Sequence, residues 1–330
     1  MAAKKKTAKK KAARKTTAKK SGGSARAKGL TQSAHYNFEP IIDRPAFKLP
    51  GGARVAVIPY INIEHFPADI PGTSLIPGTS GFSPDPLNYG WRDYGNRVGL
   101  WRMMDLMDDC GMRGTVCLNG EIIREYPRII EEGEKRKWAW IGHGINNAPA
   151  NFIGNVRQPD GTVKYLPEAK ERQILESVLG SMKKTLGRKT KGWLSPFLTH
   201  TDNTPRLLEE YGVEYLCDYT ADDHPFRFNT PKNNLISVPY TVEINDIPAF
   251  MNVGVSSEAF GDMIIDQFDV LYEEGATNAR CMPICLHTFF VGQPNKFKHL
   301  KRAFEYIARH DGVWMTTGDE VNDWYRKNNM

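Results

Sequence analysis

The segment RVAVIPYINI, residues 54–63, is an almost unbroken run of apolar and β-branched side chains. A short run of this kind indicates a buried strand. Glu64 and His65 follow it directly. Parallel α/β folds gather their reacting groups at the carboxyl ends of the strands, so two ionisable residues stand where a reaction centre is expected.

Strand-like and helix-like segments alternate along the rest of the chain. Further strands are predicted at residues 114–118, 138–143, 192–196, 213–217, 235–238, 282–286 and 313–315. Helices are predicted at residues 94–110, 122–135, 168–186, 205–211, 257–274 and 298–309, with a last one opening at the capping-box pattern of residues 317–320. This alternation predicts an α/β fold with a mainly parallel sheet, and about seven units favour a (β/α)-barrel over an open doubly wound sheet. No GxGxxG or Walker A loop follows the first strand, so the usual nucleotide anchor is missing.

The first thirty residues differ in composition from the remainder. Residues 1–30 carry twelve Lys and Arg and no acid, and because the whole chain has a net charge of +6, residues 31–330 carry −6. The Lys/Ala/Thr repeat resembles histone H1-like tails and predicts a disordered segment ahead of one catalytic domain over residues 31–330. Such a tail could bind nucleic acid, bind an anionic surface, or be a solvated extension with no specific partner.

Cysteine usage and hydropathy bear on the compartment. The five cysteines are odd in number and form no CxxC pair, which is typical of buried thiols in a reducing environment. No stretch approaches the run of about 20 apolar residues that crosses a bilayer, and no apolar h-region follows the N-terminal lysines. We therefore expect a cytoplasmic protein.

Ionisable residues stand at several strand ends besides the first. His143 closes the third strand and His287 follows the strand at residues 282–286. Other candidates lie at or near neighbouring strand ends: Asn146, Asn147, Trp193, Ser195 and Asp218. Any one histidine is open to a structural role, whereas the convergence of Glu64 with three histidines favours hydrolysis, either metal-assisted or by plain acid–base chemistry.

Seven segments carry a resemblance to a known family. They are YGNRVGLWR (94–102), WIGHGINN (140–147), GWLSP (192–196), YLCDYTADD (215–223), SVPYTVEINDIP (237–248), LHTFFVGQP (286–294) and HDGVWMTTGDE (310–320). With them the chain resembles the NodB-homology, or polysaccharide-deacetylase, superfamily, and within it the PuuE-type allantoinase and cyclic-imide-hydrolase branch. The resemblance implies a distorted (β/α)-barrel of about seven units and hydrolysis of a non-peptide C–N bond.

The resemblance also implies a metal-ligand set, from which this chain departs. Deacetylases have a TFDDGP-like segment whose first Asp is the base and whose second binds metal. Here residues 62–67 read NIEHFP, so Glu64 falls on the base position and His65 on the ligand position. In the second motif His143 is present, but Asn147 replaces the second histidine. One divalent ion such as zinc, held by His65, His143 and Asn147, is one expectation; the allantoinase branch, which also lacks the full set, makes metal-free hydrolysis the other.

Further roles follow from the same resemblance. His287 matches the late-strand histidine and is expected to be the general acid on the leaving nitrogen, with Asp218 orienting it or a neighbouring base. Backbone N–H groups near Ser195 are expected to stabilise an oxyanion. Substrate-binding positions are expected at Arg97, Asn146, Trp193 and Ser195.

Three functional hypotheses remain. The first is a hydrolase that opens a cyclic amide, ureide or imide ring. The second is a metal-dependent N-deacetylase of N-acetylated sugars such as chitooligosaccharide or peptidoglycan fragments. The third is a non-catalytic binding protein on an inherited barrel, against which the retained ionisable cluster argues. A homo-oligomer is expected by analogy with relatives in the allantoinase branch.

Overall fold

The computed structural model describes residues 33–330. The predicted basic tail, residues 1–30, lies outside them, and Ala34–Met330 form one compact unit. Within them the strands are β1 Val55–Ile63, β2 Thr115–Leu118, β3 Ala139–Gly142, β4 Val156–Arg157, β5 Val163–Lys164, β6 Gly192–Trp193, β7 Tyr215–Leu216, β8 Phe226–Arg227, β9 Ile236–Ser237, β10 Arg280–His287 and β11 Val313–Met315.

The α-helices are α1 Pro86–Tyr94, α2 Leu100–Asp109, α3 Ile122–Glu125, α4 Pro127–Lys135, α5 Glu168–Leu186, α6 Thr204–Tyr211, α7 Ser257–Glu274, α8 Pro294–Ala308 and α9 Gly318–Asn329. The helix predicted at residues 298–309 begins earlier, at Pro294, and two other predicted helices differ more from those observed. The helix predicted at residues 94–110 begins earlier, at the Asp85 cap, and passes through a π-helical turn, Gly95–Gly99, between α1 and α2. The helix predicted at residues 122–135 is broken before Pro127, because proline cannot donate the helical hydrogen bond.

The strands form a curled and mostly parallel sheet. Its order is β10-β1-β2-β3-β6-β7-β9-β8, with β11 pairing to β1 beside that path, and only β8 runs antiparallel to its neighbour β9. Strands β4 and β5 form a separate antiparallel pair. The sheet thus has β10 and β8 at its two edges, and the predicted distorted (β/α)-barrel is confirmed as an α/β half-barrel.

Strand β1 organises this sheet. All nine of its residues are buried, and it pairs in parallel with β10, β11 and β2. Its side chains alternate between two cores, as the period of two in a strand requires. Val57 and Ile61 belong to the large cluster that includes the helices, whereas Ile58 and Tyr60 belong to a second cluster made largely of strand residues.

The second cluster fills the inside of the half-barrel. Side chains from successive strands meet there, among them the four buried cysteines Cys117, Cys217, Cys281 and Cys285. Above them Asn62 donates hydrogen bonds to the Tyr240 hydroxyl and the Leu286 carbonyl, at 3.3 and 3.2 Å. The alternation along β1 therefore carries the inward-facing row from Tyr60 through Asn62 toward Glu64.

Within residues 33–330, no helix is long and apolar enough to cross a membrane.

Close packing between β6 and β7 depends on a glycine. A β-carbon at Gly192 would lie 2.3 Å from Cζ of Tyr215 and 2.6 Å from Cγ2 of Ile141, both buried. We predict that Gly192→Ala lowers the free energy of unfolding by about 1–3 kcal/mol, because the rings must shift to admit a methyl group. Urea denaturation of the variant and the wild type measures this difference in the free energy of unfolding.

The matched control is Gly180→Ala on the exposed side of α5, where a β-carbon meets no atom within 4 Å. This substitution should raise the free energy of unfolding by roughly 0.5–1 kcal/mol, because alanine loses less backbone entropy in a helix. Equal stability of Gly192→Ala and the wild type would show that β6 and β7 do not pack as described.

Candidate active site

Three strand ends bring Glu64, His143 and His287 together. Glu64 follows β1, His143 follows β3, and His287 is the last residue of β10. One oxygen of the Glu64 carboxylate, Oε1, lies 3.3 Å from Nε2 of His143, and the other, Oε2, lies 3.9 Å from Nε2 of His287. All three side chains are buried. The carboxylate is therefore held between two imidazoles at the carboxyl edge of the sheet.

The environment of Glu64 favours its ionised form. Burial by itself would raise the pKa of Glu64, but His287, His143 and the Asn147 amide outweigh it and hold that pKa below its ordinary value. Asn147 donates from Nδ2 to Oε1 at 2.6 Å. Oε2 has no hydrogen-bond partner among the described residues. Glu64 is thus a buried carboxylate with one oxygen left to accept a proton.

His143 is fixed through its other ring nitrogen. Its Nδ1 lies 2.8 Å from the backbone carbonyl of Leu194. Because a carbonyl only accepts hydrogen bonds, Nδ1 must carry the proton, and Nε2 is the atom that faces Glu64. The imidazole is therefore placed to exchange a proton with the carboxylate.

His287 is oriented by a residue that the sequence reasoning missed, Asp246. The fully buried Asp246 carboxylate lies with Oδ1 2.6 Å from His287 Nδ1, and its Oδ2 accepts the His287 backbone N–H at 2.8 Å. Burial would lower the pKa of His287, but the charges of Asp246 and Glu64 outweigh it and raise that pKa. The imidazolium form of His287 is thus favoured, and its Nε2 faces Glu64.

Asp218 has a different place from the one predicted. Its Oδ1 accepts the backbone N–H of Ser195 at 2.7 Å, and no hydrogen bond joins it to His287, so the prediction that it orients His287 is wrong. Burial raises the pKa of Asp218. Since the Ser195 N–H is already donated to Asp218, it is not available to an oxyanion, which corrects that expectation as well.

Two of the expected substrate-binding residues are enclosed in the wall behind the site. Trp193 and Ser195 are fully buried, and the Trp193 indole donates to the Ser195 hydroxyl at 3.0 Å. A third, Asn146, donates to Glu121 at 2.8 Å and accepts from the Ala148 backbone. These contacts brace the loops after β3 and β6, so the structure gives these three residues a supporting position.

Arg97 points toward solvent. Its side chain is 75% exposed, and its guanidinium lies 3.7 Å from Asp93, one helical turn earlier. The preceding residue, Asn96, is buried and donates from Nδ2 to the Glu64 backbone carbonyl at 3.2 Å. Arg97, which was expected to bind substrate, therefore faces away from Glu64, whereas the side chain of Asn96 leaves the same turn toward it.

His65 is turned away from Glu64. Its Nε2 lies 3.6 Å from Glu121, and burial lowers its pKa against the opposing charge of Glu121. Both residues lie beyond the end of β1 at Ile63, and only Glu64 turns toward His143 and His287. The contact of His65 with Glu121 therefore corrects the grouping of His65 with His143.

The residues present do not fit a catalytic divalent metal. A zinc centre needs three firm nitrogen, oxygen or sulfur ligands. Of the expected set, His65 faces Glu121, and Asn147 has its amide nitrogen directed at Glu64. In the part of the chain that the structure covers, no three His, Cys, Asp or Glu side chains are grouped closely enough to hold a metal ion.

The chain is similar to known proteins over most of its length. Residues 91–216 match the profile of the polysaccharide deacetylase family. A putative polysaccharide deacetylase of Schizosaccharomyces pombe is 27% identical over 251 residues, which cover 69% of this chain and 73% of the relative. Two solved structures are each 25% identical to this chain and match 87% of it. A PuuE allantoinase has a TM-score of 0.72, with 95% of its chain covered. A probable polysaccharide deacetylase from Pseudomonas aeruginosa has a TM-score of 0.74, with 96% of its chain covered.

The half-barrel, its buried carboxylate with two imidazoles, and these similarities define a hydrolase that acts on C–N bonds. More specifically, residues 91–216 match the polysaccharide deacetylase (NodB-homology) family that the motifs predicted, and the solved structures similar to this chain include a PuuE allantoinase and a probable polysaccharide deacetylase. The substrate is a separate question, since one barrel supports many reactions.

The contact between Asp246 and His287 predicts a pH dependence. The Asp246 charge raises the pKa of His287, so Asp246→Asn should lower it. His287 must be protonated to donate, and the alkaline limb of the kcat/KM profile for C–N hydrolysis should therefore move to lower pH. The profile is measured on folded protein from pH 5 to 10, with folding checked by circular dichroism.

The control is Asp218→Asn, which removes a buried carboxylate at the same edge of the sheet that does not bond to His287. Its alkaline limb should stay at the wild-type position. An unmoved limb in Asp246→Asn, or equal shifts in both variants, would contradict the role given to Asp246.

Proposed function

We propose that this protein opens a cyclic amide, ureide or imide ring by hydrolysis that uses no metal. The observation that carries this proposal is the Glu64 carboxylate, which is buried between the imidazoles of His143 and His287 where metal-dependent deacetylases gather metal ligands. A carboxylate and two imidazoles supply a base and an acid directly. The departure of His65 from the centre supports the same reaction class.

The attack step is assigned to Glu64. Its free oxygen, Oε2, accepts a proton from a water molecule as the water oxygen bonds to the ring carbonyl carbon. The proton gained by Glu64 then exchanges with solvent as the product leaves, while His143 holds the other carboxylate oxygen, Oε1, at 3.3 Å. The carboxylate can thus return to its ionised form.

The breakdown step is assigned to His287. The imidazolium donates its Nε2 proton to the ring nitrogen as the C–N bond breaks, and the electron pair of that bond stays on nitrogen. Asp246 stabilises the imidazolium before this transfer and keeps Nδ1 protonated after it. The products are a carboxylic acid and an amine or amide within one opened chain, and proton exchange with solvent restores His287.

N-deacetylation of a sugar is the second candidate. It is favoured by the match of residues 91–216 to the deacetylase family and by the fission-yeast relative named as a putative polysaccharide deacetylase. Both reactions cleave an amide C–N bond, so the same base and acid would serve. The two differ in substrate and in the need for a metal.

The test is a substrate panel of allantoin, succinimide, dihydrouracil and chitooligosaccharide, assayed with wild-type protein and with Glu64→Gln. We predict ring opening of at least one cyclic substrate, and a fall in kcat of about 10²–10⁴ in Glu64→Gln, because glutamine cannot take the proton. Liquid chromatography of the opened product measures both.

The control is Glu121→Gln, which neutralises a nearby carboxylate that faces His65 and Asn146 and makes no contact with Glu64. Its kcat should stay near that of the wild type. Acetate release from chitooligosaccharide that requires added zinc or cobalt, with no ring opening, would contradict the proposal and favour the deacetylase.

A further inference from the structure

Asn96 lies in a turn that is pressed against the segment following His287. The turn is the π-helical stretch Gly95–Gly99, a feature that is frequent at functional sites. A β-carbon at Gly99 would lie 2.1 Å from the Thr288 carbonyl, so this turn approaches the segment more closely than any larger residue would allow. The position of Asn96 is therefore fixed relative to the end of β10.

The side-chain amide of Asn96 is held in one orientation. Its Nδ2 donates to the Glu64 carbonyl at 3.2 Å, and because a carbonyl cannot donate, the amide nitrogen must face Glu64. The backbone carbonyl of Asn96 accepts from the Trp101 indole at 3.1 Å. The side-chain oxygen, Oδ1, is buried and has no hydrogen-bond partner within residues 33–330. The residue as a whole is 8% exposed.

A second amide is anchored on Glu64 in the same way. Asn147 directs Nδ2 to the Glu64 carboxylate, and its Oδ1 is likewise buried with no hydrogen-bond partner in the described chain. Buried polar atoms are rarely left without a hydrogen bond, and those that are call for an explanation. Both amides direct their nitrogen toward Glu64, the proposed base. Each therefore leaves its side-chain oxygen as an unpartnered acceptor on a residue that contacts Glu64.

We propose that Asn96 is a specificity-determining residue whose Oδ1 accepts a hydrogen bond from an N–H group of the substrate. This inference rests on the proposed ring-opening function and narrows its substrate class. Two acceptor oxygens, on Asn96 and Asn147, suit a ring that carries N–H groups beside its carbonyl carbons, as cyclic ureides and imides do. A ring methylated on that nitrogen lacks the donor and should be rejected, because the buried acceptor would stay without a partner.

The experiment compares dihydrouracil with its 1-methyl and 3-methyl derivatives. The wild type should show a kcat/KM for dihydrouracil at least about tenfold above that for one of the two methylated rings. In Asn96→Ala that ratio should fall toward one, because kcat/KM for dihydrouracil drops by about tenfold or more while the methylated ring is little affected. Asn96→Ser is assayed in parallel in case Asn96→Ala impairs folding. The serine hydroxyl can still donate to the Glu64 carbonyl.

Arg97→Ala is the matched control, because Arg97 is the exposed neighbour in the same turn and should leave the ratio unchanged. A wild-type ratio retained in Asn96→Ala or Asn96→Ser, with ring opening intact, would overturn this inference alone. A wild type that opens neither dihydrouracil nor any other ring of the substrate panel would overturn the proposed function and this inference with it. The two failures are therefore distinguished by the wild-type rate.

Discussion

Burying the Glu64 carboxylate is the constraint on which the remaining site depends. An ionised carboxylate removed from water is costly unless charges or hydrogen bonds compensate for it. Here two imidazoles and one amide face its oxygens, and they lower its pKa in spite of burial. Those three groups come from the loop after β3 and the end of β10. Strand β1 pairs in parallel with β10 and is linked through β2 to β3. This pairing places the three groups beside Glu64, where they compensate for the cost of burying its charge.

Each compensating group is in turn positioned by a contact of its own. His287 is held by Asp246, His143 by the Leu194 carbonyl, and Asn147 by its backbone bond to the His65 carbonyl. Such outer contacts fix which nitrogen of each imidazole faces the carboxylate. The arrangement of the centre thus follows from the sheet register and from a small set of buried polar contacts around it, with the His287 imidazole facing the Glu64 carboxylate.

Much of this was accessible from the sequence, and the limits have physical causes. The apolar run of β1 and the polar residues at strand ends predicted the fold class, and they placed Glu64, His143 and His287 at one edge. Asp246 was missed because it lies in a polar segment 41 residues before its partner, where no periodicity marks it. The error at His65 came from carrying over the family's ligand position, whereas here the His65 ring faces Glu121, a contact between distant positions that no local pattern marks.

The central claim is that Glu64 and the two imidazoles perform the hydrolysis without a metal. The most direct measurement is the metal content of purified protein, determined by mass spectrometry, against its ring-opening rate during stepwise treatment with a chelator. The account predicts a constant rate as the metal content falls to background, and no gain when zinc or cobalt is returned. A rate that falls in proportion to the loss of one divalent ion per chain, and recovers with it, would contradict the account.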